Sequence, residues 1–153
     1  MRSTTAMHFV DTNLLVYGFD DSNPAKRDRA NHVMRRLWKT RGGRLSYQVL
    51  QEFYVTVTRK LKPSLPVPTA RKEVQDLLDW NPRPVTARVL ESAWEIEDRW
   101  KLSWWDSLIA ASALDSGATS LLSEDMQDGL LIHSLRILNP FSDKFDIERL
   151  ETL

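Results

Sequence analysis

Short apolar runs alternate along the chain with longer segments in which apolar side chains recur every three or four residues. The short runs predict five β-strands, at residues 8–10, 45–47, 83–85, 119–122 and 135–138. The longer segments have the period of one helix face, as in Leu50, Phe53, Val57 and Leu61. Strands separated by helices indicate an α/β fold, in which helices cover both faces of a parallel sheet.

Capping residues and helix breakers mark the ends of several predicted helices. Asn23 is a favourable N-cap that precedes Pro24, and proline fits the first turn of a helix because its missing N–H is not needed there. The next helix ends before Pro63. Residues 105–114 are apolar on almost every side, which predicts a helix buried at the centre of the domain and ended by Gly117.

The composition is that of one globular domain spanning residues 1–153, with 42% apolar and 27% charged residues. We expect residues 1–6 to form a flexible N-terminus and the polar residues 140–153 to form a peripheral tail. No apolar run approaches the ~18 residues of a membrane span, and residues 1–6 lack the apolar centre of a secretory signal. Together with the absence of cysteine, these features favour a cytoplasmic protein with no membrane partner.

The charges balance over the whole chain but not locally. The 21 lysines and arginines match the 21 aspartates and glutamates, so the net charge neither favours nor excludes nucleic acid as a partner. Residues 26–44, in contrast, contain eight basic residues and one acid, Asp28. This segment is interpreted either as the solvated face of a helix or as a surface that contacts a phosphate backbone.

Four carboxylates stand where the predicted fold would bring them together. Asp11 and Asp125 each follow a predicted strand, and ligands of open α/β sheets bind beyond the carboxyl ends of the strands. Glu52 and Asp106 lie early in two apolar helical segments. Two like charges ~4 Å apart repel by about 4 kcal/mol at an effective dielectric constant near 20, so converging carboxylates need a positive partner. A hard cation such as Mg²⁺ suits an all-oxygen site, which suggests metal-assisted hydrolysis of phosphodiesters.

Each acid also has a structural interpretation. Asp11 suits the N-cap of the following helix, and Ser103 with Asp106 matches a capping box. Glu52 is near a helix N-terminus, where the helix dipole stabilises a negative charge. One loop contains three further candidates: Glu124, Asp125 and Asp128. Their spacing alone does not select one, because loop acids are usually solvated.

Four segments follow one another in a recognisable order. They are Phe-Val-Asp-Thr-Asn at 9–13, Glu52 early in a helix, Trp-Asp-Ser-Leu-Ile-Ala-Ala at 105–111 and Leu-Leu-Ser-Glu-Asp at 121–125. This ordered set resembles the PIN-domain ribonucleases, and most closely the VapC-type toxins of toxin–antitoxin pairs. The resemblance extends over nearly the whole chain. No one motif is specific, but the ordered set is.

The resemblance implies a three-layer α/β/α domain with a five-stranded parallel sheet, which forms a homodimer. It also implies an endoribonuclease that depends on Mg²⁺ or Mn²⁺, acts as the toxin of a type II toxin–antitoxin system and cleaves RNA. The partner would be a cognate antitoxin that inserts a basic residue into the acidic pocket. Carried over onto this sequence, the catalytic residues are Asp11, Glu52, Asp106 and Asp125, and the metal ligands among them are Asp11, Asp106 and Asp125. The supporting residues are Thr12, Asn13, Ser123 and Asp128.

Two other functions fit parts of the sequence. A phosphotransfer domain also places an aspartate at the end of its first strand, but the haloacid-dehalogenase type needs a second aspartate where this chain has Asn13. Labelling of Asp11 by acetyl phosphate would support this class. A non-catalytic α/β interaction module would use the acids to accept a partner's basic side chains. Only nuclease activity separates that module from the toxin, because both would bind a basic peptide.

Overall fold

In the computed structural model of the chain, which describes residues 5–151, five strands form one sheet. In chain order the strands are β1 (His8–Val10), β2 (Gly43–Arg44), β3 (Ser120–Leu122), β4 (Leu131–Ile132) and β5 (Leu135–Leu138). Their spatial order is β2-β1-β3-β5-β4. The flexible N-terminus expected at residues 1–6 includes residues 1–4, which lie outside the described residues.

Parallel pairing dominates the sheet. β1 pairs with β2 on one side and with β3 on the other, so that Phe9 lies beside Arg44 and Leu121. β3 pairs in the same direction with β5. β4 is antiparallel to β5 and is joined to it by a tight turn in which His133 has a positive φ. The five-stranded α/β class is confirmed, with one antiparallel edge strand where the sequence predicts parallel strands only.

The prediction of a strand at residues 83–85 is wrong. Within the described residues, Arg83 makes one isolated β-bridge, to Ser46. Its neighbours Pro82 and Pro84 have no backbone N–H, so they cannot donate to a ladder on either side of it. The fifth strand is instead β4, whose two residues are too few to give a periodic signal in the sequence.

The second strand lies two residues earlier than the sequence predicts, at Gly43–Arg44. Ser46 determines this boundary, because its side chain accepts a hydrogen bond from the N–H of Val49 and so caps the next helix. That helix begins at Tyr47. The end of the predicted strand is therefore the start of a helix.

Six α-helices accompany the sheet: α1 (Thr12–Tyr17), α2 (Pro24–Thr40), α3 (Tyr47–Val55), α4 (Val67–Leu77), α5 (Ala87–Trp100) and α6 (Trp104–Asp115). α3 continues as a π-helix at Thr56–Lys60, and 3₁₀ turns lie at Leu78–Trp80 and Ile147–Glu151. α1 packs against α2 and α3, whereas α5 packs along α6, which lies on β3 and β5. Within residues 5–151, none of these helices has both the length and the apolar character needed to cross a membrane.

The core lies between the central strands and the helices that cover them. Phe9 and Leu121, neighbours on β1 and β3, are completely buried. α6 is buried from Ser107 to Ala113, which confirms the central helix predicted from its apolar sequence. The N-cap predicted at Asn23 is also confirmed, with Pro24 as the first residue of α2.

The C-terminal segment contacts the core more closely than its polar sequence indicates. Leu150 is buried, and its carbonyl oxygen accepts a hydrogen bond from Nε2 of His8. The other ring nitrogen of His8, Nδ1, lies 2.6 Å from Oγ of Ser120. Burial lowers the pKa of His8, so the ring is neutral, with Nε2 protonated and Nδ1 accepting from the serine hydroxyl. The end of the chain is thus hydrogen-bonded to the first strand.

Gly43 is the position in the sheet where a side chain has no room. A Cβ atom at this residue would lie 2.5 Å from two ring atoms of Trp80, whose side chain is itself buried. We expect Gly43→Ala to lower the free energy of unfolding by about 1–3 kcal/mol, because the packed indole ring has to shift. Urea denaturation measures the loss.

A double-mutant cycle tests the steric explanation for Gly43. In a Trp80→Leu background the aromatic ring is absent, so the same Gly43→Ala change should cost much less. An equal loss of stability in both backgrounds would show that the clash with Trp80 is not the cause.

Candidate active site

The carboxyl ends of β1 and β3 bring two of the predicted site residues together. Val10 lies beside Leu122 in the parallel ladder, and the N–H of Asp11 donates to the carbonyl oxygen of Leu122 over 3.1 Å. The pairing therefore continues to the first residue beyond β1. Asp125 lies in the loop that leaves β3 at the same edge of the sheet.

Asp11 is the buried member of the candidate site, a residue that is 8% exposed. It caps α1, as one interpretation of the sequence predicts, and its Oδ1 accepts from the N–H of Thr12 at 2.8 Å. Its Oδ2 accepts from Oγ of Ser123 at 2.7 Å. Burial raises the pKa of Asp11 to about 6; these two hydrogen bonds oppose the rise, and the charges of Asp125 and Glu52 add to it.

Asn13 connects Asp11 to Asp125. Its Nδ2 donates to Oδ2 of Asp125 at 3.0 Å and lies 3.5 Å from Oδ2 of Asp11. Its Oδ1 accepts from the N–H of Glu124 at 3.3 Å. Ser123 makes a second link, since its Oγ also accepts from the N–H of Asp125 at 3.2 Å. Two of the predicted supporting residues thus lie between the two carboxylates.

Glu52 joins this network from α3 through Thr12. Oγ1 of Thr12 donates to Oε2 of Glu52 at 2.9 Å, so one residue is hydrogen-bonded to both Asp11 and Glu52. Nε2 of Gln48 donates to the other oxygen, Oε1 of Glu52, at 2.8 Å. Oε1 of Gln48 is buried and has no hydrogen-bond donor among the described residues.

Gln48 is a further candidate site residue, which the sequence alone does not single out. The available signal is its spacing, because residues four apart on a helix share one face and Gln48 precedes Glu52 by four. The spacing becomes informative only after Glu52 has been assigned to the site.

Asp106 belongs to the N-terminal turn of α6. Ser103 caps this helix, and its Oγ accepts from the N–H of Asp106 at 3.2 Å, which confirms the predicted cap. Burial raises the pKa of the Asp106 carboxyl, a hydrogen bond with Ser103 opposes the rise, and the charge of Asp125 adds to it. The charge of Asp125 therefore acts on Asp11 and on Asp106.

The other two acids of the Asp125 loop have partners of their own. Glu124 forms an ion pair with Lys26, at the start of α2. Oδ1 of Asp128 accepts from the N–H of Asn139 at 2.9 Å, so this carboxylate holds the segment that follows β5. The sequence does not reveal the pairing of Lys26 with Glu124, because the two residues are 98 positions apart.

The basic segment at residues 26–44 is largely engaged within the protein. Its intramolecular contacts are Lys26 with Glu124, Arg27 with Asp21 and Asp28, Arg29 with the carbonyl of Pro140, Arg36 with Glu148, and Arg44 with the carbonyls of Arg41 and Gly43. Much of the positive charge of the segment is thus paired within the protein. These contacts favour the interpretation as a helix face over that as a phosphate-contacting surface.

The four carboxylates of Asp11, Glu52, Asp106 and Asp125 have no basic partner among residues 5–151. Neutral groups supply the hydrogen bonds that these carboxylates receive. This donor set fits a hard divalent cation in chemistry and in charge. A cation would stabilise the ionised form of Asp11, whose pKa is raised. Within the same residues, no group of three His, Asp or Glu side chains is arranged so that it already encloses a metal ion.

Comparison with known families identifies the domain. The family model of the PIN domain matches residues 8–127, which is more than half of the chain. The protein therefore belongs to the PIN domain family. The matched region contains all four carboxylates. A comparison with curated protein sequences gives no significant match.

Solved structures share the fold. A chain of a toxin–antitoxin complex from Klebsiella pneumoniae aligns with a TM-score of 0.57 and 16% identity, over 87% of this chain and 97% of that one. A chain of VapBC2 from Rickettsia felis, crystallised with a DNA fragment from its promoter, aligns with a TM-score of 0.58 and 18% identity, over 86% of this chain and 96% of that one. At such identities the similarity establishes the fold.

The raised pKa of Asp11 predicts a stabilising substitution. Since the pKa in the folded protein is about 6 and the ordinary value is 3.8, the contribution of Asp11 to stability is complete below pH 3.8 and is lost as the pH rises through 6. At pH 7 without divalent cations, we expect Asp11→Asn to raise the free energy of unfolding by about 1–3 kcal/mol. Urea denaturation from pH 4 to pH 8 measures the gain, which should vanish toward pH 4.

Asp143→Asn is the matched control for this prediction, because Asp143 is exposed and the same change removes one charge from the surface. It should leave stability nearly constant over the same pH range. A destabilised Asp11→Asn protein at pH 7 would contradict the electrostatic interpretation of this buried carboxylate.

Proposed function

We propose that this protein is a metal-dependent endoribonuclease that acts as the toxin of a type II toxin–antitoxin pair. The observation that carries the proposal is the buried Asp11, which has a raised pKa, is linked by hydrogen bonds through Thr12 and Asn13 to Glu52 and Asp125, and has no basic partner among residues 5–151. Membership of the PIN domain family supports nuclease chemistry. The structural neighbours, a toxin–antitoxin complex and VapBC2, support the role of toxin.

Carboxylate oxygens of Asp11, Asp106 and Asp125 are the proposed ligands of Mg²⁺ or Mn²⁺. When bound, the cation supplies charge stabilisation for the scissile phosphate and acidifies the attacking water. The protein's own contribution is orientation. Thr12 and Ser123 each fix one oxygen of Asp11, as expected of hydrogen bonds that orient metal ligands.

Glu52 is the acid that we assign to proton transfer. It is exposed, and each of its oxygens accepts a hydrogen bond from a neutral donor, Thr12 or Gln48. Such donors fix the orientation of the carboxylate while leaving its charge in place, so Glu52 can accept a proton from the attacking water. Hydrolysis by water requires no side-chain nucleophile, which agrees with the absence of cysteine.

The proposal includes three partners. RNA is the substrate, and a cognate antitoxin is the inhibitor, whose Lys or Arg side chain would neutralise the same carboxylates that attract the metal. A second copy of the chain completes a homodimer, as in the sequence-based expectation. The proposed site of action is the cytoplasm, where RNA and a co-expressed antitoxin are both accessible.

Two substitutions test the chemistry. Asp11→Asn and Asp106→Asn should each reduce RNA cleavage in Mg²⁺ by about 100-fold or more, because each removes one negative charge from the proposed metal ligands. Both proteins should remain folded by circular dichroism, and Asp143→Asn should cleave like the wild type. Cleavage of a labelled RNA, followed with Mg²⁺, with Mn²⁺ and with EDTA, provides the measurement.

Expression in cells extends the same test. Inducible wild-type protein should arrest growth and produce discrete RNA 5′ ends, and Asp11→Asn should produce neither. Strong cleavage by either variant in EDTA would exclude the metal-dependent mechanism. Tight binding to an arginine-rich peptide without cleavage under any metal would instead identify a non-catalytic interaction module.

Metal binding should also be visible as stability. A cation that binds only the folded state at 100 times its dissociation constant adds about 2.7 kcal/mol. We therefore expect Mg²⁺ or Mn²⁺ to raise the melting temperature of the wild type, and to raise that of Asp11→Asn far less. Differential scanning fluorimetry with Ca²⁺, K⁺ and EDTA as comparisons measures this, and equal shifts in both proteins would place the cation elsewhere.

A further inference from the structure

A cavity of about 410 Å³ adjoins Glu52, one of the four carboxylates. Its lining residues are Thr12, Gln51, Glu52, Val55, Thr56 and Lys60. Thr12 and Glu52, which are hydrogen-bonded to each other, therefore belong both to the candidate site and to one wall of the cavity. The volume lies within the range of small-ligand pockets, about 300–1,000 Å³. The cavity therefore has room for a group joined to whatever binds at the carboxylates.

The far wall of this cavity comes from the π-helix that continues α3. The π-helix spans Thr56–Lys60 and ends where the N–H of Leu61 donates to the carbonyl of Thr56 at 2.9 Å. Such i→i+5 turns are rare and occur frequently at functional sites. Here the π-helix extends the helix that carries Glu52, and its last residue is the cationic Lys60.

The π-turn changes the direction in which Lys60 points. In a regular α-helix each residue advances by about 100°, so a step of four residues overshoots one full turn by about 40°. Glu52, Thr56 and Lys60 are four apart, and a wholly α-helical path would carry Lys60 about 80° away from Glu52. The wider π-turn has more residues per turn, which offsets this drift. Lys60 consequently lines the same cavity as Glu52.

Lys60 is the one cation among the residues that line this cavity. It is exposed, and it forms no ion pair or hydrogen bond with a side chain within residues 5–151. Its neighbour Arg59 lines a different cavity, on the side of α3 that faces α4, together with Tyr54 and Arg71. Positions 59 and 60 therefore present positive charge on two different sides of the same helix.

We propose that Lys60, with the hydroxyl-bearing Thr56 beside it, forms a subsite for the backbone phosphate of a nucleotide that adjoins the scissile linkage. This inference rests on the proposed nuclease function and specifies how the substrate is held. An RNA strand that crosses the carboxylates presents one negative charge per nucleotide. The carboxylates repel that charge unless a cation is bound, so a lysine beyond Glu52 supplies attraction where the strand leaves the site. The contact is electrostatic and independent of base identity.

Salt dependence of binding tests the charge of Lys60. In the cleavage-deficient Asp11→Asn background at fixed Mg²⁺, Lys60→Gln should weaken binding of a single-stranded RNA by about 3–10-fold. It should also reduce the slope of log K against log salt by about 0.7, the value for one phosphate contact on a single strand. Lys60→Arg should restore both quantities, since it returns the charge. Fluorescence anisotropy between 50 and 300 mM KCl, a range of about sixfold, supplies the data.

Neutral linkages in the RNA locate the contact. Oligonucleotides with one methylphosphonate, moved position by position past the cleavage site, remove one phosphate charge at a time. One linkage next to the cut should lose its effect on binding in Lys60→Gln, because the contact is already absent. In the matched control Arg59→Gln, every linkage should retain its effect.

The outcomes separate this subsite from the nuclease function. Two results would overturn the subsite alone if the wild type cleaves RNA normally. One is that Lys60→Gln and the neutral linkage have additive effects on binding at every position. The other is that Lys60→Gln leaves the salt slope unchanged. Absence of cleavage under any metal would overturn the nuclease, and the binding assay would still report whether Lys60 contacts phosphate. In the cleavage assay, loss of a phosphate contact in Lys60→Gln should raise KM at a nearly unchanged kcat. Loss of RNA binding in Arg59→Gln but not in Lys60→Gln would assign the strand to the opposite side of α3.

Discussion

The parallel pairing of β1 with β3 is the constraint on which the site depends. Because the two strands run in the same direction with Val10 beside Leu122, the residues that follow them leave the sheet at one edge. Asp11 and the loop of Asp125 meet there, and the helices that start nearby contribute Glu52 and Asp106. A shift of one residue in this register would turn every β1 side chain to the opposite face of the sheet. The complete burial of Phe9 and Leu121 makes that shift costly, so the packing of the core fixes the geometry of the carboxylates.

Neighbouring acids in the loop after β3 have partners of opposite kinds, one charged and one neutral. Glu124 is neutralised by Lys26, whereas Asp125, the next residue, is held by the amide of Asn13 and keeps its charge unbalanced. The same rule applies at Asp11 and Glu52, which receive hydrogen bonds from hydroxyl, amide and N–H groups. An internal ion pair would stabilise the fold but would occupy the carboxylates with the protein's own cation. Neutral donors orient the oxygens and leave the charge for an external partner, at a cost in stability that the raised pKa of Asp11 reflects.

Local features of the fold were predictable from the sequence, and contacts between distant segments were not. The caps at Asn23 and Ser103 and the buried helix α6 follow from residues a few positions apart. The prediction of a strand around Arg83 was wrong because the two flanking prolines have no backbone N–H to donate to a neighbouring strand. The apolar pattern used for the prediction does not take this loss into account. At the candidate site, the order of motifs predicts four acids, and the structure joins three of them, Asp11, Asp125 and Glu52, in one hydrogen-bond network. Gln48 and the Lys26–Glu124 pair depend on tertiary packing, for which a single sequence carries no direct signal.

The hydrogen bond between His8 and the carbonyl of Leu150 has a consequence for the connectivity of the domain. It places the beginning and the end of the described chain side by side, next to the strand that leads into Asp11. A short peptide could therefore join the two ends, and the chain could be opened at an exposed loop such as that at Pro84 and Val85. The order of segments along the polypeptide would change, but β1 and β3 would still pair. The candidate site thus depends on strand pairing in space, and a circularly permuted chain should be able to form it.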